Sequence, residues 1–306
     1  MAVNTMSERG YKMSIALKFE GYHRPANVDQ AVKILTKYGN NAQVIAGGTD
    51  ILPRRPGGNN AGNGKHLVDI THMGLDYIRE EKDGIHIAAA ATINSIGAFP
   101  LFLQTPYLVL SEAVACHSTR TIKNRATIGG NLCNASPCAD LALPLLVLGA
   151  RLIVAGPEGN RQIPIQDFYV GTNLCALDSN EMLLEICIPF CEEKTGTSFL
   201  KLGRQQTAID MALVNVATFL TIEGQYCVTV RIALGSVGPV PFRAKKAESM
   251  LTGKRPDKEA IKLAAEAAAE ASAPLDDIRA TAAYRKKMAV ILVRQALEKS
   301  VRRYEA

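Results

Sequence analysis

The apolar positions of this chain change their period several times, and each change marks an element. Val28, Ala31, Val32 and Leu35 recur at helical spacing and predict a helix through about Tyr38. Asn27 followed by Gln30 forms a capping box at its start, and Gly39 fits its stop. Short apolar runs at 43–46 and 66–70 predict strands. Residues 77–92, "YIREEKDGIHIAAAAT", predict a hairpin turning at Asp83-Gly84, because glycine tolerates the positive φ of such turns. Helices are predicted at about 93–104, 107–117 and 139–149, a second hairpin at 151–165, and a strand at 181–189 closed by Pro189.

Beyond residue 197 the order is different. "SFLKLG", "LVNVATFLTIEGQ" and "YCVTVRIALGSV" read as three successive strands. Helices follow at about 243–252, 257–272 and 281–304. Strands grouped before helices predict an α+β unit rather than βαβ winding. The expected organisation is a loose terminus over 1–14, a first domain over 15–192 and a second over 197–306. Residues 56–65, "PGGNNAGNGK", read as a surface loop. The last helix carries Met288, Ile291, Leu292 and Leu297 and is expected to pack on the C-terminal sheet, leaving a face for a partner.

Composition narrows the class. Hydrophobic residues are 47% and charged residues 21% of 306, which suits a globular protein of about two domains. A net charge of +6 without interleaved aromatic and basic residues argues against nucleic-acid binding. The longest apolar stretch, residues 141–150, contains Pro144 and is too short to span a bilayer. Seven irregularly spaced cysteines and no signal-like N-terminus lead to the expectation of a reducing, cytoplasmic setting.

The chemistry concentrates in two glycine pairs. "VIAGGTDIL" at 44–52 ends a strand in Gly47-Gly48, and "RATIGGNLCNASPCADLALPLL" at 125–146 contains Gly129-Gly130. Bare glycine backbone lets a ligand approach the chain closely, and successive N–H groups can form an anion nest. Thr49, Thr127 and Ser136 add hydroxyls, while Asp50 and Asp140 suit ribose or ribityl hydroxyls better than phosphate. A ligand with diphosphate and polyol parts fits this set; two tight turns remain the plainer reading. A P-loop is excluded because "GNGKH" ends in His66 and has Asn59 at the first glycine position. No G-x-G-x-x-G follows a strand, so a dinucleotide fingerprint is absent as well.

"AGGTD" at 46–50 together with "TIGGN" at 127–131 resembles the FAD-binding medium subunit of the molybdenum hydroxylases, the group of xanthine dehydrogenase, carbon monoxide dehydrogenase and 4-hydroxybenzoyl-CoA reductase. "HLVDI", "IHIAAAAT", "IKNRATIGGN" and "FLKLGR" agree with it, and the similarity extends over about residues 16–300. The resemblance implies a two-subdomain FAD-binding fold of the vanillyl-alcohol-oxidase (PCMH) type, with subdomains at about 15–66 and 67–192. A C-terminal α+β domain with a small antiparallel sheet against helices would follow. It implies non-covalent FAD, since Thr49 stands where some flavoproteins carry a flavin-linking histidine. It further implies that Val44, Ile45, Ala46, Gly47, Gly48, Thr49, Asp50 and Ile51 wrap the diphosphate and ribityl chain. Thr127, Ile128, Gly129, Gly130, Asn131 and Asn134 would form the second half of the cradle, with Asp140 on a polar part of the cofactor. His117, Leu183 and Lys201 fall at flavin-contacting positions.

The resemblance also implies partners: a large molybdopterin-binding subunit, a small subunit with 2Fe–2S clusters, and an external acceptor such as NAD, a quinone, ferredoxin or oxygen. This chain would relay electrons through FAD and needs no catalytic acid–base pair. A self-sufficient flavin oxidoreductase with its own substrate pocket is the alternative, and a colourless nucleotide-binding protein a third. Cys116, Cys133 and Cys138 lack the spacing of an iron–sulfur set and the cysteine-rich insertion of the reductase relatives, so they read as semi-buried thiols. Cys187 and Cys191 fit a strand and its exit and carry no assigned chemistry. His23, His66, His72 and His86 show no metal-ligand spacing, so no metal is expected in this chain.

Overall fold

The computed structural model describes residues 19–53, 65–191, 194–205 and 210–305. The expected loose terminus, most of the 56–65 loop and part of the domain boundary lie outside the described residues. The first unit comprises β1 (Gly21–His23), α1 (Val28–Tyr38), β2 (Ala42–Ile45) and β3 (His66–Asp69). Its strands run parallel in the order β1-β3-β2. The Asn27 side chain accepts from the Gln30 N–H at 3.0 Å, as the capping box predicts. The three-residue β1 has no pattern of its own and exists because it pairs with β3.

The second unit holds β4 (Ile78–Glu81), β5 (Gly84–Ala88), α2 (Ile93–Ala98), α3 (Leu108–Ala115), α4 (Arg120–Lys123), α5 (Ile128–Cys133) and α6 (Ala142–Leu148). It continues with β6 (Arg151–Gly156), β7 (Gly159–Pro164), β8 (Tyr169–Gly171), β9 (Leu174–Cys175) and β10 (Met182–Ile188). Its main sheet is antiparallel in the order β4-β5-β10-β6-β7. Both faces of β5 are covered, which explains why "IHIAAAA" shows no polar alternation. Ile85, Ile87, Ala89 and Ala91 enter the core of the second unit, whereas Ala88 and Ala90 face the core built by α1 and β3. The helix expected over 93–104 is divided. α2 ends at Ala98, Phe99 is extended, and a 3₁₀ turn spans Pro100–Leu103, because proline disfavours helical geometry in the residue before it.

The C-terminal unit is an antiparallel sheet of β11 (Gly196–Leu202), β12 (Val214–Glu223), β13 (Tyr226–Gly235) and β14 (Phe242–Arg243). It is covered by α7 (Lys245–Leu251), α8 (Lys258–Glu270) and α9 (Ala282–Glu305). Leu292, Val293, Ala296 and Leu297 of α9 are buried in this core, so the expected packing on the sheet holds. Gly196 permits the close crossing: a Cβ there would lie 2.0 Å from the Ser300 carbonyl oxygen.

Glu112 of α3 ties this unit to the one before it. It accepts from Lys299 Nζ at 2.5 Å, from Arg303 Nη2 at 2.7 Å, and from the Phe199 N–H at 2.8 Å. Burial alone would raise the Glu112 pKa, but the hydrogen bonds from Arg303 and Lys299 outweigh it and hold it below the ordinary glutamate value. A depressed folded-state pKa contributes stability above the unfolded value near 4.3, lost as pH falls through the folded pKa. Glu112→Gln is therefore expected to cost about 2 kcal/mol at pH 7. Denaturant titrations should show that penalty shrinking toward pH 3.

Candidate functional site

β2 ends at the buried Ile45, and the chain then turns away from the sheet through residues 46–53. The two glycines there act differently. A Cβ on Gly47 would lie 1.9 Å from the Arg125 carbonyl oxygen, so a bare backbone is what lets this loop touch the segment leading into α5. Gly48 has φ +71°, a left-handed conformation that disfavours a side chain. Among the described residues, the N–H groups of Gly47, Gly48 and Thr49 have no protein acceptor. They are donors left for a ligand.

The second glycine pair does not form an anion nest, which corrects the expectation from sequence. It forms the first turn of α5, capped by Thr127, whose Oγ1 accepts from the Gly130 N–H at 3.1 Å. The Ile128 and Gly129 N–H groups donate to the carbonyls of Ala91 and Ala89 at 3.0 and 2.9 Å, and the Asn131 N–H donates to Thr127 O at 3.0 Å. These amides anchor the segment and are not available to a diphosphate. Gly129 permits the anchoring, since a Cβ would lie 2.6 Å from Ala89 O. Asn134 Nδ2 reaches Asp50 Oδ1 at 3.4 Å, linking the two glycine segments.

Between them lies a cleft of about 320 Å³. Its wall contains Val44, residues 46–51, His117, Thr127, Gly130, Asn131 and Asn134. Sequence reasoning missed Gln43, Ile93, Ile122, Ala126 and Cys133, which also line it. Ile122 and Ala126 fall within the quoted "IKNRATIGGN"; Gln43 and Ile93 carry no such signal. Two buried polar atoms of wall residues, Gln43 Oε1 and Asn131 Oδ1, have no hydrogen-bond partner among the described residues. Unsatisfied buried acceptors cost about 1–3 kcal/mol each, and hydroxyl groups of a ligand would relieve them. The polar atoms therefore fit a polyol, and the free amides of residues 47–49 fit a phosphate.

The other expected site residues stand outside the wall. Ile45, Ile128 and Gly129 lie behind it, buried in packing or backbone contacts. Leu183 is a core residue of β10 opposite Val154. Asp140 and Lys201 take each other: Lys201 Nζ donates to Asp140 Oδ2 at 2.7 Å and to Cys116 O at 2.9 Å, and Asn215 Nδ2 donates to Asp140 Oδ1 at 3.0 Å. This buried group sits behind His117, whose Nδ1 is 3.5 Å from Asp140 Oδ2. Burial pushes the Cys133 thiol well above the usual thiol range.

The model of the FAD binding domain in molybdopterin dehydrogenase matches residues 16–191, more than half of the chain. The chain belongs to the FAD-binding medium subunits of the molybdenum hydroxylases. The CO dehydrogenase flavoprotein C-terminal domain matches residues 198–300. The chain is 33% identical over 281 residues to the carbon monoxide dehydrogenase medium chain of Hydrogenophaga pseudoflava, covering 92% of this chain and 96% of that one. It is 35% identical over 281 residues to the corresponding chain of Afipia carboxidovorans, covering 91% and 96%. A solved structure of the Hydrogenophaga pseudoflava enzyme superposes with a TM-score of 0.89 at 33% identity, covering 94% of this chain and 99% of that one. This member of the family is thus an oxidoreductase subunit whose cofactor is FAD, in a FAD-binding domain followed by a C-terminal domain. Among the described residues no helix is long and apolar enough to cross a membrane.

Proposed function

We propose that this chain is the electron-transfer subunit of a multi-subunit molybdenum hydroxylase and that it holds FAD non-covalently in the cleft between the two glycine segments. The carrying observation is that the amides of residues 47–49, which have no acceptor among the described residues, share one cavity wall with the unsatisfied polar atoms of Gln43 and Asn131. Bound FAD supplies the redox chemistry, accepting and releasing electrons, while the protein supplies binding and orientation. Gly47, Gly48 and Thr49 donate to the diphosphate. Gln43 and Asn131 accept from ribose or ribityl hydroxyls. Thr127 and Gly130 close the opposite wall, and Thr49 has no ring nitrogen with which to bond the flavin covalently. Asp140 and Lys201 brace His117 from behind.

In this reading a large molybdopterin-binding subunit acts on the substrate and a small iron–sulfur subunit relays electrons to or from this chain. An external partner such as NAD, a quinone, ferredoxin or oxygen completes the circuit. Seven cysteines without a disulfide suit a reducing cytoplasm. Native purification with cofactor and subunit analysis tests the proposal. Stoichiometric FAD on this chain, with molybdenum and iron–sulfur chains copurifying, is the expected result. A flavin-loaded chain that purifies alone and oxidises an organic substrate by itself would overturn it in favour of the self-sufficient oxidoreductase.

FAD binds the folded chain and not the unfolded one, so it adds stability by mass action, about 2.7 kcal/mol at a hundred times its dissociation constant. Deflavinated protein is expected to melt several degrees lower and to recover on adding FAD. Equal melting curves with and without FAD would contradict specific binding.

A further inference from the structure

We infer that Asp83, His86 and Cys187 form a binding site for one zinc-class divalent cation, separate from the flavin cleft. His86 of β5 and Cys187 of β10 are direct cross-strand partners, so their side chains share one face of the sheet. Asp83, in the turn before β5, folds over the same face: its Oδ1 is 2.9 Å from His86 Nε2. One ligand atom from each of the three residues lies within 4.8 Å of the other two. His86 and Cys187 are buried and Asp83 is exposed, which leaves one open side for ion entry and a bound water.

The surroundings are those of a built site. His86 Nδ1 faces Glu185 Oε1, and Glu185 is held in turn by the Tyr77 hydroxyl. A carboxylate behind the imidazole fixes the ring and directs the other nitrogen to the metal, as is general for histidine ligands. One thiolate, one imidazole and one carboxylate, with water in the fourth position, match zinc-class ions; the thiolate disfavours calcium and magnesium. Without metal, Arg151 fills the cation's role: its Nη2 is 3.3 Å from Asp83 Oδ2 and 3.4 Å from Cys187 Sγ. That side chain is 41% exposed. Arg79 stays outside, stacked over the Tyr77 ring and 3.7 Å from Glu185. None of the three proposed ligands lines the flavin cleft.

Binding involves no redox change. A metal-bound Cys187 is a thiolate, so its proton passes to solvent as the cation binds. The site departs from the absence of metal ligands expected from histidine spacing, because Cys187 lies 104 residues from Asp83 and only the sheet register joins them.

The test is a calorimetric zinc titration of the full chain carrying FAD, after chelator treatment and removal of the chelator. One site is expected, with one zinc bound per chain. Cys187→Ser and His86→Gln should each weaken it at least tenfold, and Arg151→Gln should tighten it several-fold by removing the competing cation. Cadmium added to the unmodified chain should produce a thiolate-to-cadmium ultraviolet difference band, a measurement that does not depend on any variant folding. Absence of stoichiometric zinc binding, unchanged affinity in Cys187→Ser, or cadmium binding without the thiolate band would each overturn the assignment.

Discussion

Gly47→Ala is expected to give a folded chain that no longer retains FAD. The added Cβ would lie 1.9 Å from the Arg125 carbonyl oxygen and 2.6 Å from its carbonyl carbon. Both are backbone atoms, so no rotamer change relieves the clash, and the two glycine segments must separate by about 1 Å or more. The N–H groups of residues 47–49 would then lose their alignment with the diphosphate. Each hydrogen bond to a charged oxygen is worth roughly 1.5–3 kcal/mol. Losing two weakens FAD binding by about 10²–10⁴-fold. Gly48→Val should act similarly for a different reason, because valine resists the left-handed φ at that position. Gly130→Ala is the contrasting case: its Cβ would meet only Thr127 Oγ1 at 3.1 Å, and a loss below tenfold is expected. The flavin-to-protein absorbance ratio and a fluorescence titration check all three. A Gly47→Ala protein with stoichiometric flavin and unchanged affinity would remove the cleft from the binding site.

The contrast between these glycines shows what was legible in the sequence. Helix α1 was readable because Asn27, Gln30 and the apolar spacing are local signals. The first glycine loop was readable because a strand that stops at Gly47-Gly48 has few other uses. The helical form of the second pair was not legible. Adjacent glycines disfavour a helix locally, but Thr127 caps the turn and the Ala89 and Ala91 carbonyls hold it. Those carbonyls lie some forty residues earlier, and nothing near Gly129 announces them. Asp140 was assigned to the cofactor on similar local grounds, whereas its partners Lys201 and Asn215 come from the C-terminal sheet. The cleft was visible because each half is a local motif. The ion pair behind it was not, because only tertiary packing brings it together.

That ion pair carries the second large effect. Lys201→Met is expected to destabilise the chain by about 3–5 kcal/mol, the usual cost of stripping a buried charge of its partner. The Lys201 and Asp140 side chains are only 6% and 5% exposed. Without the ammonium group, Asp140 keeps the Asn215 amide and the more distant His117 ring nitrogen, and the Cys116 carbonyl loses its lysine. The carboxylate would then have to shift or draw in water, and either response disturbs His117 at 3.5 Å. The double variant Asp140→Leu with Lys201→Met removes both charges and should lose less than the sum of the single changes. Because neither residue lines the cleft, FAD affinity measured well below the melting transition should fall less than tenfold in Lys201→Met. Denaturant titration alongside flavin binding separates the two roles. A stability loss under 1 kcal/mol with a large loss of FAD affinity would mean that Lys201 serves the cofactor directly, and the bracing role assigned to the pair would be wrong.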